Sequence, residues 1–122
     1  MAVRLAATVV MALVAALHVY FLVLEMFLWR TPLGRRTFRT TAEQAESSAV
    51  LAANQGLYNG FLAAGLIWGL VWYGIPSGRA ILTFFLLCVV AAGTYGAVTV
   101  SRRILLVQAA PAAIALALLW LS

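Results

Sequence analysis

The chain consists of long apolar runs separated by short polar stretches. Four runs cover about residues 3–29, 50–73, 80–100 and 104–121. Each is close to the ~20 residues that cross the hydrocarbon core of a bilayer. Apolar positions are continuous within a run and do not alternate with polar ones, which favours helices over strands. Because a spanning segment must satisfy its own backbone hydrogen bonds, the pattern predicts an all-α, four-helix transmembrane bundle.

The connections between the runs refine the predicted helices. Thr40 followed by Glu43 matches a capping box, so the second helix is predicted over 41–73, with its membrane part from about residue 50. Residues 74–78, Gly-Ile-Pro-Ser-Gly, predict a turn, and residues 101–103 a tight link. The first run is longer than the apolar region of a signal peptide. We therefore expect a single transmembrane domain over 1–122, with helices about 3–29, 41–73, 80–100 and 104–121.

Composition supports a lipid environment. Hydrophobic residues make up 66% of the chain, charged residues 9%, and the mean hydropathy is +1.06. A soluble domain carries about 25% charged residues. A soluble chain of this length would lack the polar side chains to cover its surface.

The charges predict an orientation in the membrane. All eight basic residues are arginines, and six of them lie in the first and third connections. Arg4 and Arg79 lie on the opposite side. The positive-inside rule then predicts a multi-pass protein of the inner membrane with both termini outside the cytoplasm. We expect no nucleic-acid partner, because a basic binding stripe needs a soluble face to carry it.

Two ionisable side chains inside the first run are the candidate catalytic residues. His18 and Glu25 are seven residues apart, nearly two helical turns, and so share a face. A carboxylate in hydrocarbon takes up a proton or finds a partner, and no basic side chain lies at the depth of Glu25. We therefore expect Glu25 to be protonated or paired with His18, and either state suits proton chemistry.

Further polar and aromatic side chains are predicted to bind a substrate. Gln55 and Asn59 are one turn apart and share a side of the second helix. Counted from the cytoplasmic ends of the runs, these candidates gather in the cytoplasmic half and predict one pocket. A structural interpretation competes, because such side chains often bridge membrane helices, and for Gln108 taken alone it is favoured. The candidates are Trp29, Asn54, Gln55, Tyr58, Asn59, Tyr95 and Gln108.

Metal and cofactor chemistry is not indicated. One histidine without a cysteine pair or any aspartate falls short of the usual zinc ligand sets. Cys88 lies alone in an apolar run, where a thiol packs as a small apolar group. There is no glycine-rich phosphate loop after a strand. We expect no metal and no cofactor.

The order of these residues resembles a known family. His18, Glu25 and the stretch Trp29-Arg30-Thr31-Pro32 are followed by Asn-Gln-Gly-Leu-Tyr-Asn-Gly at residues 54–60. Gly93, Tyr95, Gly96 and the pair Gln108 and Pro111 complete the likeness. The chain resembles, over essentially its whole length, the small bacterial membrane proteins of domain of unknown function 1304. The resemblance implies a four-helix membrane protein without an agreed activity.

Three functions remain open. The first is a cofactor-independent isomerase or cyclase acting on a lipid-soluble, isoprenoid-like substrate, with Glu25 as general acid and His18 as proton shuttle. The rings of Trp29, Tyr58 and Tyr95 would stabilise developing positive charge. The second is a proton-coupled transporter resembling the small multidrug exporters, in which Glu25 exchanges a proton for a substrate. The third is a non-catalytic membrane subunit. Membrane lipids are expected partners. Pairs of glycines three or four residues apart allow close helix approach within the chain or in a homodimer, which therefore stays open. These pairs are Gly56 and Gly60, Gly65 and Gly69, and Gly93 and Gly96.

Overall fold

The chain is all-α, as predicted. The computed structural model describes residues 1–122 and contains no strand. Two π-helical segments extend the long helices: Trp68–Tyr73 continues the third α-helix, and Leu105–Ala109 precedes the fifth. The α-helices are α1 (Ala2–Met26), α2 (Pro32–Phe38), α3 (Ala42–Ile67), α4 (Arg79–Thr99) and α5 (Ala110–Leu121).

The first helix ends earlier than the apolar run. α1 stops at Met26, whereas the sequence predicted an end at residue 29. Trp29 and Arg30 form a turn in which the Thr31 N–H donates to the Leu28 carbonyl at 3.1 Å. The apolar run therefore continues into the turn, beyond the last helical residue.

The short helix α2 was not predicted. Thr31 caps it, with its hydroxyl accepting from the Gly34 N–H at 3.2 Å, and Pro32 occupies the first turn. Proline suits that position because the first N–H groups of a helix have no intrahelical partner. The helix ends at Phe38 and is capped by Arg39, whose φ of 56° is left-handed.

The predicted capping box is displaced by one residue. The Thr41 hydroxyl accepts from the Gln44 N–H at 3.1 Å, and the Gln44 side-chain oxygen accepts from the Thr41 N–H at 2.9 Å. Thr40 was the wrong choice because its own N–H donates to the Arg35 carbonyl at 3.0 Å and closes α2. A capping box needs that N–H for the returning side chain.

The chain divides into two compact units, a terminal unit (residues 1–16 and 62–122) and a middle unit (residues 17–61). The terminal unit has an apolar core drawn from α1, the end of α3, α4 and α5. Small residues let α4 approach the start of the last helix: a Cβ on Gly93 would lie 2.6 Å from the Ala109 nitrogen. The buried core residues are Ala7, Met11, Val14, Ala15, Leu66, Leu82, Leu86, Val89, Ala112, Ala115 and Leu119.

In the middle unit, the turn after α1 is held by aromatic and polar contacts. The Trp29 ring packs against Phe38 at 4.8 Å between centroids, and its indole N–H donates to the Ser48 hydroxyl at 3.1 Å. Gly34 lies against the Leu28 and Trp29 carbonyls, where any Cβ would overlap the backbone. These contacts fix α2 beside the turn and the first turns of α3.

Two helices are long and apolar enough to cross a membrane, judged by length and composition. They are α1 and α4. Leu105–Leu121, formed by the second π segment and α5, is apolar but shorter. The fold is therefore that of an all-α chain with two helices of membrane-spanning character.

Candidate functional site

The Glu25 carboxylate lies at the centre of a polar cluster in the middle unit. It occupies the last turn of α1 and is 2% exposed. Gln55 Nε2 donates to its Oε2 at 2.5 Å, and Asn59 Nδ2 donates to its Oε1 at 2.5 Å. The two amides are one turn apart on α3, so a single face of that helix supplies both donors.

Two glycines let α3 come this close to α1. A Cβ on Gly56 would lie 3.0 Å from the Glu25 Cβ and 2.7 Å from the Met26 Cγ. A Cβ on Gly60 would lie 2.6 Å from a methyl of Leu22. Small residues allow helix backbones to approach closely. This glycine pair thus serves a contact within the chain.

The cluster suits proton transfer. An ionised carboxylate only accepts hydrogen bonds, and a side-chain amide carries both an N–H donor and a carbonyl acceptor. With the N–H groups turned inward, as observed, the amides hold the carboxylate. If the side-chain amide group flips by about 180°, its carbonyl oxygen can instead accept a hydrogen bond from a carboxylic acid. The same two side chains can therefore serve both protonation states of Glu25.

A cavity of about 350 Å³ is lined in part by Glu25. It lies between the end of α1, the following turn and the early part of α3. Its lining combines an acid, an indole and a guanidinium with apolar side chains. The residues are Glu25, Met26, Phe27, Trp29, Arg30, Thr31, Ala49, Val50 and Ala53.

His18 lies about two turns before Glu25 on α1. The side chain is fully buried, and its ring meets Phe21 edge-on at 5.7 Å between centroids. The partners found on the two Glu25 oxygens are Gln55 and Asn59. Sequence reasoning assigned these amides to the substrate and did not foresee their bonds to Glu25. The pairing of His18 with Glu25 stays a prediction.

Two other predicted residues of α3 lie away from the carboxylate. Asn54 and Tyr58 are exposed, and Tyr58 packs its ring against Phe61 at 5.9 Å between centroids. Neither joins the hydrogen bonds to Glu25. They are one turn apart, which places them on a shared face that differs from that of Gln55 and Asn59.

Tyr95 and Gln108 belong to the terminal unit. Tyr95 lies near the end of α4 and is 73% exposed, and Gln108 is half-buried in the π-helical segment before α5. Trp29, by contrast, lines the cavity beside Glu25. A pocket containing Tyr95 and Gln108 together with Glu25 stays a prediction.

Arg30, at the edge of the cavity, was not among the predicted site residues. Its Nε lies 2.9 Å from the Glu46 carboxylate, and the two side chains are 60% and 69% exposed. The sequence did carry a signal for this turn. Thr31-Pro32 is a capping residue followed by a favoured first helical residue, and it marks where the chain turns back.

Comparison with known proteins gives a family and one relative. The model of the family described as "Protein of unknown function (DUF1304)" matches residues 12–120. The chain is 30% identical over 112 residues to "Uncharacterized protein YpaA" of Lactococcus lactis, covering 89% of this chain and 92% of that protein. No solved structure matches.

Proposed function

This chain belongs to the DUF1304 family, and from its Glu25 site we propose that it is a membrane enzyme that transfers protons within a lipid-soluble substrate. The family description assigns no activity. The observation that carries the proposal is a buried carboxylate, held by two amides on one helix face, that also lines a cavity.

The reaction class that fits this site is an isomerisation. The Glu25 carboxylic acid donates a proton to one carbon of a double bond, which leaves a positive charge on the other carbon. The resulting Glu25 carboxylate then removes a proton from the carbon beyond that charge, and the double bond re-forms one position along. One group acts first as acid and then as base, as in other proton transfers by positioned carboxyl groups. Protons and electrons balance within the substrate.

The cavity lining indicates the kind of substrate. Met26, Phe27 and Val50 offer apolar contact to a hydrocarbon body. The Trp29 ring lies at the same cavity, where an indole face stabilises developing positive charge. An isoprenoid-like molecule meets both conditions. His18, buried two turns away on α1, is proposed to exchange the proton with Glu25.

The membrane arrangement proposed here has four spanning helices. Beyond α1 and α4, the spans would be the apolar part of α3 with its π extension, and Leu105–Leu121. Large apolar side chains are exposed on these segments, which supports contact with lipid: Leu13, Val71, Phe84 and Leu106 are each more than 60% exposed. In this proposed arrangement the first and third connections, which hold six of the eight arginines, lie in the cytoplasm.

The test is mass spectrometry of small molecules that co-purify with the protein. We compare the wild type, Glu25→Gln, and the control Glu43→Gln, which neutralises an exposed carboxylate on the same chain. Glu25→Gln keeps the shape of the side chain and removes its capacity to donate and accept the proton. A lipid-soluble compound enriched with Glu25→Gln, and not with Glu43→Gln, would be trapped substrate.

Conversion of that compound by the wild type, and not by Glu25→Gln, would establish the reaction. No enriched compound with any of the three proteins would argue against the enzyme. Proton-coupled uptake into vesicles, lost with Glu25→Gln and retained with Glu43→Gln, would then favour a transporter. Unchanged behaviour of Glu25→Gln in both assays would leave the subunit role.

A further inference from the structure

The segment between α1 and α3 is strongly basic. No acidic residue lies between Glu25 and Glu43, and four arginines fall in that interval. Arg30 pairs with Glu46. The other three, on or directly after α2, are Arg35, Arg36 and Arg39.

This segment has a defined structure. Thr31 both caps α2 and donates from its hydroxyl to the Leu28 carbonyl at 2.6 Å. Phe38 packs on the Trp29 ring. These contacts hold the backbone that carries the arginines in place, which lowers the entropic cost of binding a ligand.

Two polar atoms in the segment are buried without a hydrogen-bond partner in the protein. They are Arg35 Nε and Thr40 Oγ1. Both belong to one turn, because the Thr40 N–H donates to the Arg35 carbonyl at 3.0 Å. Buried donors without partners are rare, and each such group asks for an explanation such as a bound ion.

We propose that Arg35 and Thr40 form a binding site for a phosphate group. A guanidinium and a hydroxyl are both donors to phosphate oxygens, and the planar arginine fork matches that geometry. Arg36 and Arg39, both exposed, add positive charge around the site. The phosphate is that of an anionic lipid headgroup or of a free phosphate compound. The site is separate from Glu25 and does not depend on the proposed enzyme.

Binding is measured on the full chain purified in a non-ionic detergent. Two probes are titrated separately by calorimetry, namely short-chain phosphatidylglycerol and inorganic phosphate. We expect saturable binding of at least one. Binding of the lipid alone identifies a headgroup site, and equal binding of both identifies a site for free phosphate compounds.

Three variants test the residues. Arg35→Gln should weaken binding about tenfold or more, the range expected for a lost charge-assisted hydrogen bond. Arg35→Lys keeps the charge but not the fork and should weaken binding several-fold, which keeps the test valid if Arg35→Gln does not fold. Thr40→Val should also weaken binding several-fold.

The control is Arg102→Gln, which removes an exposed arginine from the terminal unit and should leave affinity unchanged. The absence of binding by either probe would overturn the proposal. So would an equal loss of affinity with Arg102→Gln and Arg35→Gln, because the attraction would then follow net charge alone. Wild-type affinity in both Arg35→Lys and Thr40→Val would overturn it as well.

Discussion

Two close helix contacts in this chain are built from the same kind of residue and do different things. In the terminal unit, Gly93 lies against the Ala109 backbone, within an apolar contact between α4 and the last helix. In the middle unit, Gly56 lies against Glu25 and Met26 and brings two amides within hydrogen-bond distance of a carboxylate. The first contact brings apolar surfaces together, whereas the second also brings hydrogen-bond donors to a buried carboxylate. The presence of a glycine in an apolar run therefore does not show what its helix packs against, which can be an apolar surface or a polar cluster on the facing helix.

The largest expected effect is at Gly93. In Gly93→Leu the new Cβ would lie 2.6 Å from a backbone nitrogen, which cannot turn away as a side chain does. We expect the free energy of unfolding to fall by about 3 kcal/mol, the upper range for overpacking. Reversible unfolding in mixed detergent micelles measures it.

Ala92→Leu is the matched control, since it adds the same side chain at the exposed neighbouring position. Its stability should stay close to that of the wild type. Equal destabilisation by both substitutions would contradict the packing argument, and the close contact at Gly93 would not be its cause.

At Gly56 the loss of stability should be smaller, but the substitution should also disturb the hydrogen bonds to Glu25. The nearest atom to a new Cβ is the flexible Met26 Cγ, which can move, although the Glu25 Cβ lies at 3.0 Å. For Gly56→Leu we expect a loss of about 2 kcal/mol. Separating α3 from α1 should also break the amide bonds to Glu25, which amide chemical shifts of Gln55 and Asn59 would report.

Gly56→Ala grades this effect. It adds only the Cβ, and should lie between the wild type and Gly56→Leu in both measurements. A Gly56→Leu protein with wild-type stability and unchanged amide shifts would show that the close contact is unnecessary.

The two amides should differ in their contribution to stability. Asn59 is 8% exposed, whereas Gln55 is exposed. Loss of a buried hydrogen bond lowers stability more than loss of a solvated one, because water cannot replace the missing donor. We expect Asn59→Ala to lower the free energy of unfolding by about 1.5 kcal/mol and Gln55→Ala by about 0.6 kcal/mol. The same unfolding assay compares them.

Asn54→Ala removes a neighbouring exposed amide that has no part in the bonds to Glu25, and it should be neutral. A larger loss with Asn54→Ala than with Asn59→Ala would mean that burial at Glu25 does not set the energetics of α3.

The smallest effect belongs to the ion pair of Arg30 and Glu46. Both side chains are mostly exposed, and exposed pairs contribute little because water screens them. Glu46→Gln should change stability by less than about 0.5 kcal/mol. Glu43→Gln, an exposed acid outside the pair, should change it equally little. A drop above 1 kcal/mol for Glu46→Gln alone would give this pair a structural role that its exposure argues against.

The long helices could be predicted because apolar composition dominates them. Four apolar runs correspond to α1, α3, α4 and the Leu105–Leu121 segment. The apolar runs did not predict where α1 ends, because Phe27 and Leu28 are apolar but lie outside the helix. The π-helical segments carry no sequence signal that distinguishes them from α-helix.

The loop and its capping residues show where local pattern stops being sufficient. Thr40 with Glu43 and Thr41 with Gln44 fit the capping pattern equally well. The choice depends on α2. The Thr40 N–H donates to the Arg35 carbonyl of that helix, so it is not available to the Glu43 side chain. A helix as short as α2 gives little periodicity, so only its capping pair, Thr31 and Pro32, could have indicated it.

The candidate site was predictable in part. The spacing of Gln55 and Asn59 gives a shared face from sequence alone. Which face of α1 meets that face depends on the rotation of α1, which the tertiary packing of Gly56 and Gly60 sets. The sequence therefore predicts the shared face of Gln55 and Asn59 but not the hydrogen bonds of these amides to Glu25.

The spacing of the two amides also has a consequence for how α3 can slide along α1. Both bonds reach one carboxylate from successive turns. A slip of one turn, about 5.4 Å, would bring one amide to where the other had been and carry the second out of reach. Half of the bonding would be lost, because the residues one turn before Gln55 and one turn after Asn59, Leu51 and Ala63, carry no amide to replace it. Both hydrogen bonds can form in only one axial register, so the two amides together fix the position of α3 along α1.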